Sequence, residues 1–312
     1  MNNKYEIIKS GGNKGRIRAL RSFGDVKKDD IGGFIESEKN LFHNGDCWVY
    51  GDAKVSGNAK VDGDAKVSGY AWVYGDAWVT DNAKVTDNAE VYGDAKVFDD
   101  AKVYGNALVF NGAEVSDKAW VSDKAKVYGN AKVYGNAKVF DDAWVFGNAW
   151  VYGNAWVYGN AKLSGDALVS GNAKVFDDAK VFGKAKVYGN AKVYGNAMVF
   201  ENAKVFDKAL VFDNARVTDN AKVYGLVFGD SEVDSEEKYQ ILNNPVDSPT
   251  HYTTGNIEVI EFIKAKFSES EYRGFLLGNV IKYISRSGKK GDTLTDYKKA
   301  KWYIEKLIKS LI

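Results

Sequence analysis

The most regular feature of the chain is a six-residue alternation of apolar and polar positions. From Val49 to Val223 every sixth residue is valine, except at Leu163, and the residue two places before each of these is alanine, except at Cys47. Residues two apart in a strand point to the same side, so we expect the alanines and valines to face one interior. No loop interrupts the pattern, and a period this short predicts a β-solenoid.

Each repeat also carries its own turn. The strand and one further outward residue are followed by pairs such as Gly129-Asn130 or Asp141-Asp142. Glycine reaches positive φ freely, and Asn and Asp tolerate it better than most residues. We therefore interpret each repeat as one short strand plus one corner. Stacked coils place valine on valine about 4.8 Å apart and satisfy the backbone groups between coils.

The repeat Ala-x-Val-x-Gly-Asn, uninterrupted in residues 128–139, resembles the hexapeptide-repeat proteins, in which three hexads make one triangular coil. The resemblance implies a left-handed parallel β-helix of about ten coils in this chain. Many members of that family are acyltransferases that use a histidine near a coil corner. The two histidines here, His43 and His251, both lie outside the repeats. We therefore expect a scaffold, spacer or binding rod and keep the acyltransferase as the weaker alternative.

Lysine and aromatic residues occupy the outward positions of the repeats. The position between alanine and valine is mostly lysine, and tryptophan replaces it at Trp72, Trp78, Trp120, Trp144, Trp150 and Trp156. On a three-sided coil the last three of these would lie on three different faces. We interpret the aromatic rings and lysine stems as a cover over the β-surface. The alternative is self-association, or stacking of a sugar, a base or a polymer on exposed rings beside lysines.

Composition and charge indicate a cytoplasmic protein without membrane contact. The net charge is +1, the chain has one cysteine, and no apolar stretch is long enough to span a bilayer. No signal-like segment is expected at the start of the chain. Cys47 occupies a position that is alanine in every later repeat, so we expect a small buried residue and not a reactive thiol.

Changes in periodicity and composition divide the chain into four segments. The predicted fold class is mainly β, a parallel β-helix with a small all-α C-terminal domain. The segments are an N-terminal cap in residues 1–46, the repeats in residues 47–225, an acidic closing segment and linker in residues 226–247, and the helical domain in residues 248–312. The cap is expected because an open solenoid end exposes unpaired strand edges, and His43 is expected to belong to it.

Three helices are expected in the last segment. Ser268 with Glu271 forms a capping box for the second helix, and the third helix starts at Asp292 or Thr293. From His251 onward there are twelve lysines and arginines against seven aspartates and glutamates. An excess of this size favours an anionic ligand.

Basic side chains concentrate around the end of the second helix. Lys282 and Arg286 are four residues apart and share a helix face, and Lys289 and Lys290 lie in a glycine-flanked loop that leads into the third helix. Such a loop can bind phosphate through helix-end amides and lysine side chains. It lacks the Walker pattern. The alternative is a solvated helix end that the helix dipole favours.

Several motifs of this segment resemble the SaV-like family, a small phage-associated family that includes a coliphage nucleotide kinase acting on deoxynucleoside monophosphates. These motifs are residues 248–252, residues 255–263, residues 278–283 with Arg286 and Lys289-Lys290, and residues 298–303. The resemblance implies a phage or prophage accessory protein that binds a nucleotide or another phosphorylated ligand. The positions it implies for the site are His251, Tyr252, Glu258, Asn279, Lys282, Arg286, Lys289 and Lys299.

A kinase hypothesis assigns chemistry to these positions. Lys282, with the arginine and lysine that follow it, would hold and neutralise phosphates, and Glu258 or Glu261 would hold Mg²⁺. His251 would orient or deprotonate the acceptor hydroxyl. Both glutamates are equally well explained as charges on a helix surface. The aromatic residues of the segment pack the helices or stack on a base, and these residues are Tyr283, Trp302 and Tyr303.

The competing hypothesis is a non-enzymatic binding protein. A rod that forms a homo-oligomer would present several copies of the helical module to a nucleotide, a nucleic acid or a host protein, and multivalency would raise avidity without any chemistry. Turnover of nucleotides in the presence of Mg²⁺ separates this hypothesis from the kinase.

Overall fold

The chain divides into two compact units, Met1–Tyr239 and Gln240–Ile312. The computed structural model describes residues 3–9, 15–234, 238–239, 259–287 and 293–311. No helix within these ranges is long and apolar enough to cross a membrane.

Short strands of the first unit stack into three sheets within the described residues. The first sheet contains β1 (Tyr5–Lys9), β2 (Gly15–Ala19), β3 (Ile31–Ile35), β5 (Lys54–Val55), β8 (Trp72–Val73), β11 (Glu90–Tyr92), β14 (Leu108–Phe110), β17 (Lys126–Val127), β20 (Trp144–Val145), β23 (Lys162–Leu163), β26 (Lys180–Val181), β29 (Met198–Val199), β32 (Arg216–Val217) and β35 (Glu232–Val233). The second contains β4 (Trp48–Val49), β7 (Lys66–Val67), β10 (Lys84–Val85), β13 (Lys102–Val103), β16 (Trp120–Val121), β19 (Lys138–Val139), β22 (Trp156–Val157), β25 (Lys174–Val175), β28 (Lys192–Val193), β31 (Leu210–Val211) and β34 (Leu226–Val227). The third contains β6 (Lys60–Val61), β9 (Trp78–Val79), β12 (Lys96–Val97), β15 (Glu114–Val115), β18 (Lys132–Val133), β21 (Trp150–Val151), β24 (Leu168–Val169), β27 (Lys186–Val187), β30 (Lys204–Val205), β33 (Lys222–Val223) and β36 (Lys238–Tyr239).

The predicted β-solenoid is confirmed by the pairing of these strands. Each strand from β4 onward pairs in parallel with the strand three further along the chain, so Lys132 lies beside Trp150 and Val133 beside Val151. The Lys132 amide donates to the Ala149 carbonyl at 2.9 Å, which joins one coil to the next. Every alanine and valine of the repeats is fully buried. The interior is therefore the apolar column that the six-residue pattern predicts.

The solenoid has about eleven coils, one more than predicted. Strands β34, β35 and β36 continue the three sheets beyond Val223. The sequence obscures this coil because Val227 follows Val223 after four residues instead of six, and no alanine precedes it at the usual place. Residues 226–234 and 238–239, assigned from the sequence to a closing segment and linker, belong to the first unit.

The corners are built on residues with positive φ, as the turn pairs predict. Glycine takes this position in many repeats, and aspartate takes it in others, for example Asp99 and Asp117 at φ 57° and 55°. Such an aspartate also joins neighbouring coils: Asp99 Oδ2 accepts from the Asp117 amide at 3.2 Å, and Asp117 Oδ2 accepts from the Gly135 amide at 2.9 Å. The hydrogen bond to the next coil compensates for the strain of positive φ in a residue with a Cβ atom.

The N-terminal residues form an antiparallel addition to the first sheet. Strand β1 pairs with β2, β2 pairs with β3, and β3 continues in parallel to β5. A single 3₁₀ turn, Glu38–Asn40, follows β3. The buried Asn40 donates from Nδ2 to the Gly57 and Ala59 carbonyls at 3.0 and 2.9 Å. These contacts satisfy backbone groups at the first coil, which is the function of a cap.

The described residues of the second unit form three helices, α1 (Val259–Lys266), α2 (Glu269–Arg286) and α3 (Thr293–Lys309). The predicted capping box is confirmed: Ser268 Oγ accepts from the Glu271 amide, and Glu271 Oε2 accepts from the Ser268 amide at 2.8 Å. The hydrogen bonds from Ser268 lower the pKa of the Glu271 carboxyl. Helices α2 and α3 pack around a small apolar core made of Ile260, Tyr272 and Leu276 with Ile263, Phe275, Trp302, Tyr303 and Leu307 against them.

Candidate functional site

One face of α2 carries the polar residues that the sequence singled out. Asn279, Lys282, Tyr283 and Arg286 recur at the spacing that aligns side chains along one side of a helix. Lys299 on α3 reaches the same place, because its Nζ lies 5.6 Å from the centre of the Tyr283 ring. Four positions that the family resemblance implies therefore come together on the α2–α3 pair. We call Asn279, Lys282, Arg286 and Lys299 the cationic patch.

Three positive groups of the cationic patch surround the ring of Tyr283. Lys282 Nζ lies 4.4 Å from the ring centre and Arg286 Cζ 4.7 Å from it, and Lys299 completes the set. Tyr283 is 9 % exposed, and its ring stacks on that of Tyr303 at 5.8 Å. The negative face of an aromatic ring attracts cations. The packed tyrosine thus gathers three positive charges that would otherwise repel one another.

Asn279 fixes the position of one of these charges. Lys282 Nζ donates to Asn279 Oδ1 at 2.8 Å, and Asn279 Nδ2 donates to the Phe275 carbonyl at 3.0 Å. The second bond orients the amide, so its oxygen is presented to the lysine. The ammonium group is held on the surface of α2 while Lys282 stays exposed.

Arg286 is tied to Asp296, a residue that the sequence interpretation did not select. Arg286 Nε and Nη2 donate to Asp296 Oδ1 at 2.9 and 2.6 Å. This hydrogen bond raises the pKa of the Arg286 guanidinium. Asp296 is 1 % exposed. Because Arg286 ends α2 and Asp296 lies in the first turn of α3, the ion pair joins the two helices. The sequence signal was an acidic residue in a first helical turn, which the helix dipole alone explains.

The aromatic residues of the unit are used for packing. The Trp302 and Tyr303 rings contact each other edge to face at 4.8 Å, and Phe275 meets Tyr303 at 6.2 Å. Together with the stacking of Tyr283 on Tyr303, these contacts form a continuous aromatic layer between α2 and α3. Of the two sequence interpretations, helix packing and base stacking, the geometry supports packing.

Six further positions of the predicted site have no described side chain. His251, Tyr252, Glu258, Lys289 and Lys290 lie outside the described residues. Glu261 belongs to α1, and its side chain is not described. Within the described ranges, no group of three or more His, Cys, Asp or Glu side chains could hold a metal ion. The roles of these six residues, and the Mg²⁺ site, stay predictions.

Three of the outward tryptophans of the solenoid, Trp120, Trp144 and Trp156, are sandwiched between lysines. On the second sheet, Lys102 and Lys138 Nζ lie 5.0 and 4.4 Å from the Trp120 ring centre. Trp156 has Lys138 and Lys174 at 5.2 and 4.2 Å. Because the ammonium groups occupy the faces of these three rings, the rings cover the sheet and are not bare stacking platforms. This supports the interpretation of the aromatics as a surface cover.

An open groove of about 680 Å³ runs along the same side of the solenoid. Its described lining contains five lysines and four aspartates, among them Lys66, Lys84 and Lys102 on the strands and Asp64 and Asp100 at the adjoining corner. Because these positive and negative charges nearly balance, the electrostatic potential of the groove does not favour a charged polymer of either sign. The concentration of unbalanced positive charge is on the helical unit.

Two further residues weighed from the sequence are His43 in the cap and Cys47 at the start of the first repeat. His43 Nδ1 accepts from the Lys4 amide at 3.2 Å, and its ring stacks on Tyr5 at 4.6 Å. Burial lowers the pKa of His43. Cys47 is fully buried, and burial raises the pKa of its thiol. Both residues take the structural places that the sequence predicts.

The helical unit is similar to known phage-related sequences. Residues 246–305 match the model of a protein family of unknown function, DUF3310. The chain is 40 % identical over 68 residues to the gene 1.7 protein of Enterobacteria phage T3, a stretch that covers 20 % of this chain and 42 % of that protein. The chain therefore spans less than half the length of the relative it matches. The phage relation predicted from the sequence is supported for the C-terminal region.

Proposed function

We propose that this chain is a phage or prophage accessory protein whose helical unit binds a phosphorylated nucleotide at the cationic patch. The observation that carries the proposal is the convergence of Lys282, Arg286 and Lys299 on one ring, Tyr283. Phosphate groups are bound in proteins by such clusters of lysine and arginine. The similarity to a phage protein supports the accessory role.

The arrangement suits a deoxynucleoside monophosphate kinase. In phosphoryl transfer the protein mainly positions the reactants and neutralises the charge on the transferred group. Lys282, held by Asn279, supplies a placed ammonium group, and Lys299 supplies a second from the neighbouring helix. Arg286 reaches Asp296 through Nε and Nη2, and we assign its remaining nitrogen, Nη1, to the phosphate.

The remaining parts of the kinase proposal rest on the family resemblance. His251 would orient or deprotonate the acceptor hydroxyl, and Glu258 or Glu261 would hold Mg²⁺ through carboxylate oxygens, the donors that this ion prefers. Lys289 and Lys290 would add charge beside the patch, and Tyr252 would contact the nucleotide. The base itself would bind away from Tyr283, because that ring is occupied by packing.

A binding role without turnover is the second candidate function. The solenoid favours it: its closely spaced coils, joined by hydrogen bonds throughout the described repeats, form a rigid support suited to presenting several helical units at once. A host protein or a nucleic acid would then be the partner, and the cytoplasm of a bacterial host would be the site of action. A hexapeptide acyltransferase is the weakest candidate, since the repeats contain no histidine.

One experiment separates turnover from binding. The full-length protein is titrated calorimetrically with deoxynucleoside monophosphates, and the same mixtures are then incubated with ATP, with Mg²⁺ or with EDTA, before the products are separated. Formation of a deoxynucleoside diphosphate establishes the kinase. Binding heat without product establishes the second candidate. Absence of both with all four monophosphates overturns the nucleotide proposal.

A further inference from the structure

The side of α2 that points away from the core is exposed, apolar and uncharged. Leu277, Ile281 and Ile284 follow one another at helical spacing and are 47, 59 and 56 % exposed. Gly274 and Gly278 lie on the same side, one turn apart. We call these five residues the α2 outer face. These five residues extend over about three turns and include no charge, and Arg273 and Glu271 border them on either side.

Among the described residues, neither glycine packs closely against a neighbouring element of the helical unit. A Cβ atom added to Gly274 or Gly278 would meet no described atom within 4 Å. Neither has positive φ, so the backbone conformation does not require glycine either. A glycine inside a helix costs roughly 1 kcal/mol relative to alanine. What a missing side chain does permit is the close approach of another backbone.

We propose that the α2 outer face pairs with the same face of α2 in a second copy of this chain, with the two helices antiparallel. A two-fold interface places one surface patch against itself. Leu277, Ile281 and Ile284 of each copy would pack over the glycines of the other, as ridges of one helix fill the grooves of its partner. This removes the exposed apolar side chains from water.

Charges at the edge of the face select a second copy and the antiparallel direction. Glu271 and Lys282 lie within about 20° of each other around the helix axis, near opposite ends of α2. An antiparallel two-fold pair therefore sets Glu271 of each copy opposite Lys282 of the other. A parallel two-fold pair would bring this edge of one helix against the other edge of its partner, so Glu271 and Lys282 would not meet.

The size of the surface predicts a reversible dimer. Two helices of 18 residues, each about 27 Å long, bury less area than the roughly 800 Å² per partner of a standard interface. We therefore expect association in roughly the micromolar range. This places self-association on the helical unit, whereas the sequence suggested the aromatic surface of the solenoid.

Sedimentation velocity of the full-length protein across a concentration series tests the proposal. We expect Ile281→Glu to abolish the dimer, since it buries a charge in the interface. Gly278→Ala should raise the dissociation constant about tenfold or more while raising the thermal midpoint of the helical unit, because alanine favours the helix. Leu311→Glu, a control at an exposed apolar position beyond α3, should leave the dissociation constant unchanged.

Gly278→Ala should weaken the dimer while stabilising the helix, and a misfolded variant would not show both effects. A wild-type protein that stays monomeric at 100 times the expected dissociation constant overturns the proposal, as does a dimer that Ile281→Glu leaves intact. The direction of pairing is tested by charge exchange. Lys282→Glu should weaken the dimer, and Glu271→Lys in the same chain should restore it; failure to restore it overturns the antiparallel arrangement.

Discussion

Arg286 donates two hydrogen bonds to a single carboxylate oxygen of Asp296, and the two partners differ sharply in exposure. Nε and Nη2 reach Oδ1 at 2.9 and 2.6 Å. The arginine side chain is 39 % exposed and the aspartate side chain 2 %. The second aspartate oxygen, Oδ2, has no hydrogen-bond partner among the described atoms. Among the described residues, Arg286 balances the negative charge of the buried carboxylate, while the guanidinium group itself remains in contact with water.

This asymmetry predicts unequal costs for removing the two partners. Arg286→Met leaves a buried carboxylate without its counter-charge, so it should lower the free energy of unfolding by the larger amount. Asp296→Asn removes the buried charge and keeps an oxygen that accepts from Arg286; its buried N–H groups lack an acceptor, so it should still cost about 1–2 kcal/mol. Urea unfolding followed by circular dichroism at 222 nm, which reports the helices, measures both. Equal losses, or a larger loss in Asp296→Asn, would contradict the assignment.

The corner aspartates should be replaced more easily by glycine than by alanine. Asp117 has φ 55°, and its Oδ2 accepts from the Gly135 amide at 2.9 Å. Both variants lose this hydrogen bond, but Asp117→Ala retains a Cβ atom in the left-handed region, which costs roughly 1–2 kcal/mol more. Thermal unfolding of the solenoid should rank the wild type above Asp117→Gly, and Asp117→Gly above Asp117→Ala. The reverse order of the two variants would show that strain is not the limiting cost.

Cys47 should be unreactive in the folded protein and should make stability fall in alkali. The thiol is fully buried, and burial raises its pKa above the usual value of 9.0. Because the folded state holds the proton more tightly than the unfolded state, this contribution to stability is complete below pH 9.0 and declines as the pH rises through the folded-state pKa.

Labelling with a thiol reagent at neutral pH, with and without denaturant, tests whether the Cys47 thiol is unreactive in the folded protein. Cys47→Ala is the control for the loss of stability in alkali, because the free energy of unfolding of this variant should decline less than that of the wild type above pH 9.0. Rapid labelling of the native protein would contradict the buried position. An identical alkaline profile in the two proteins would show that the thiol does not contribute.

The solenoid could be predicted from the sequence because its information is local and repeated. Three hexads per coil place residues 18 apart beside each other, which is why Trp144, Trp150 and Trp156 fall on three different sheets. The same rule puts Lys126 and Lys162 on either side of Trp144, at 4.7 and 4.8 Å. The last coil was not predicted because the distance between successive valines changes from six residues to four after Val223.

The cationic patch could be predicted only in part. Helical spacing aligned Asn279, Lys282 and Arg286, but the approach of Lys299 depends on how α3 packs against α2, which no local pattern encodes. Asp296 was missed for the same reason, since its partner lies ten residues earlier, on α2. The α2 outer face carries apolar residues at helical spacing, a pattern that predicts the helix but does not distinguish its buried side from its exposed side.

Nucleotide affinity of variants in the cationic patch tests the central claim most directly. Calorimetry should show that the double variant Lys282→Ala/Lys299→Ala binds a deoxynucleoside monophosphate at least about tenfold more weakly than the wild type, because two charges near the phosphate are lost. Lys301→Ala, which removes an equal charge paired with Glu305 on the exposed surface of α3, should stay within about twofold of the wild type. Unchanged binding by the double variant, or an equal loss in Lys301→Ala, would contradict the account.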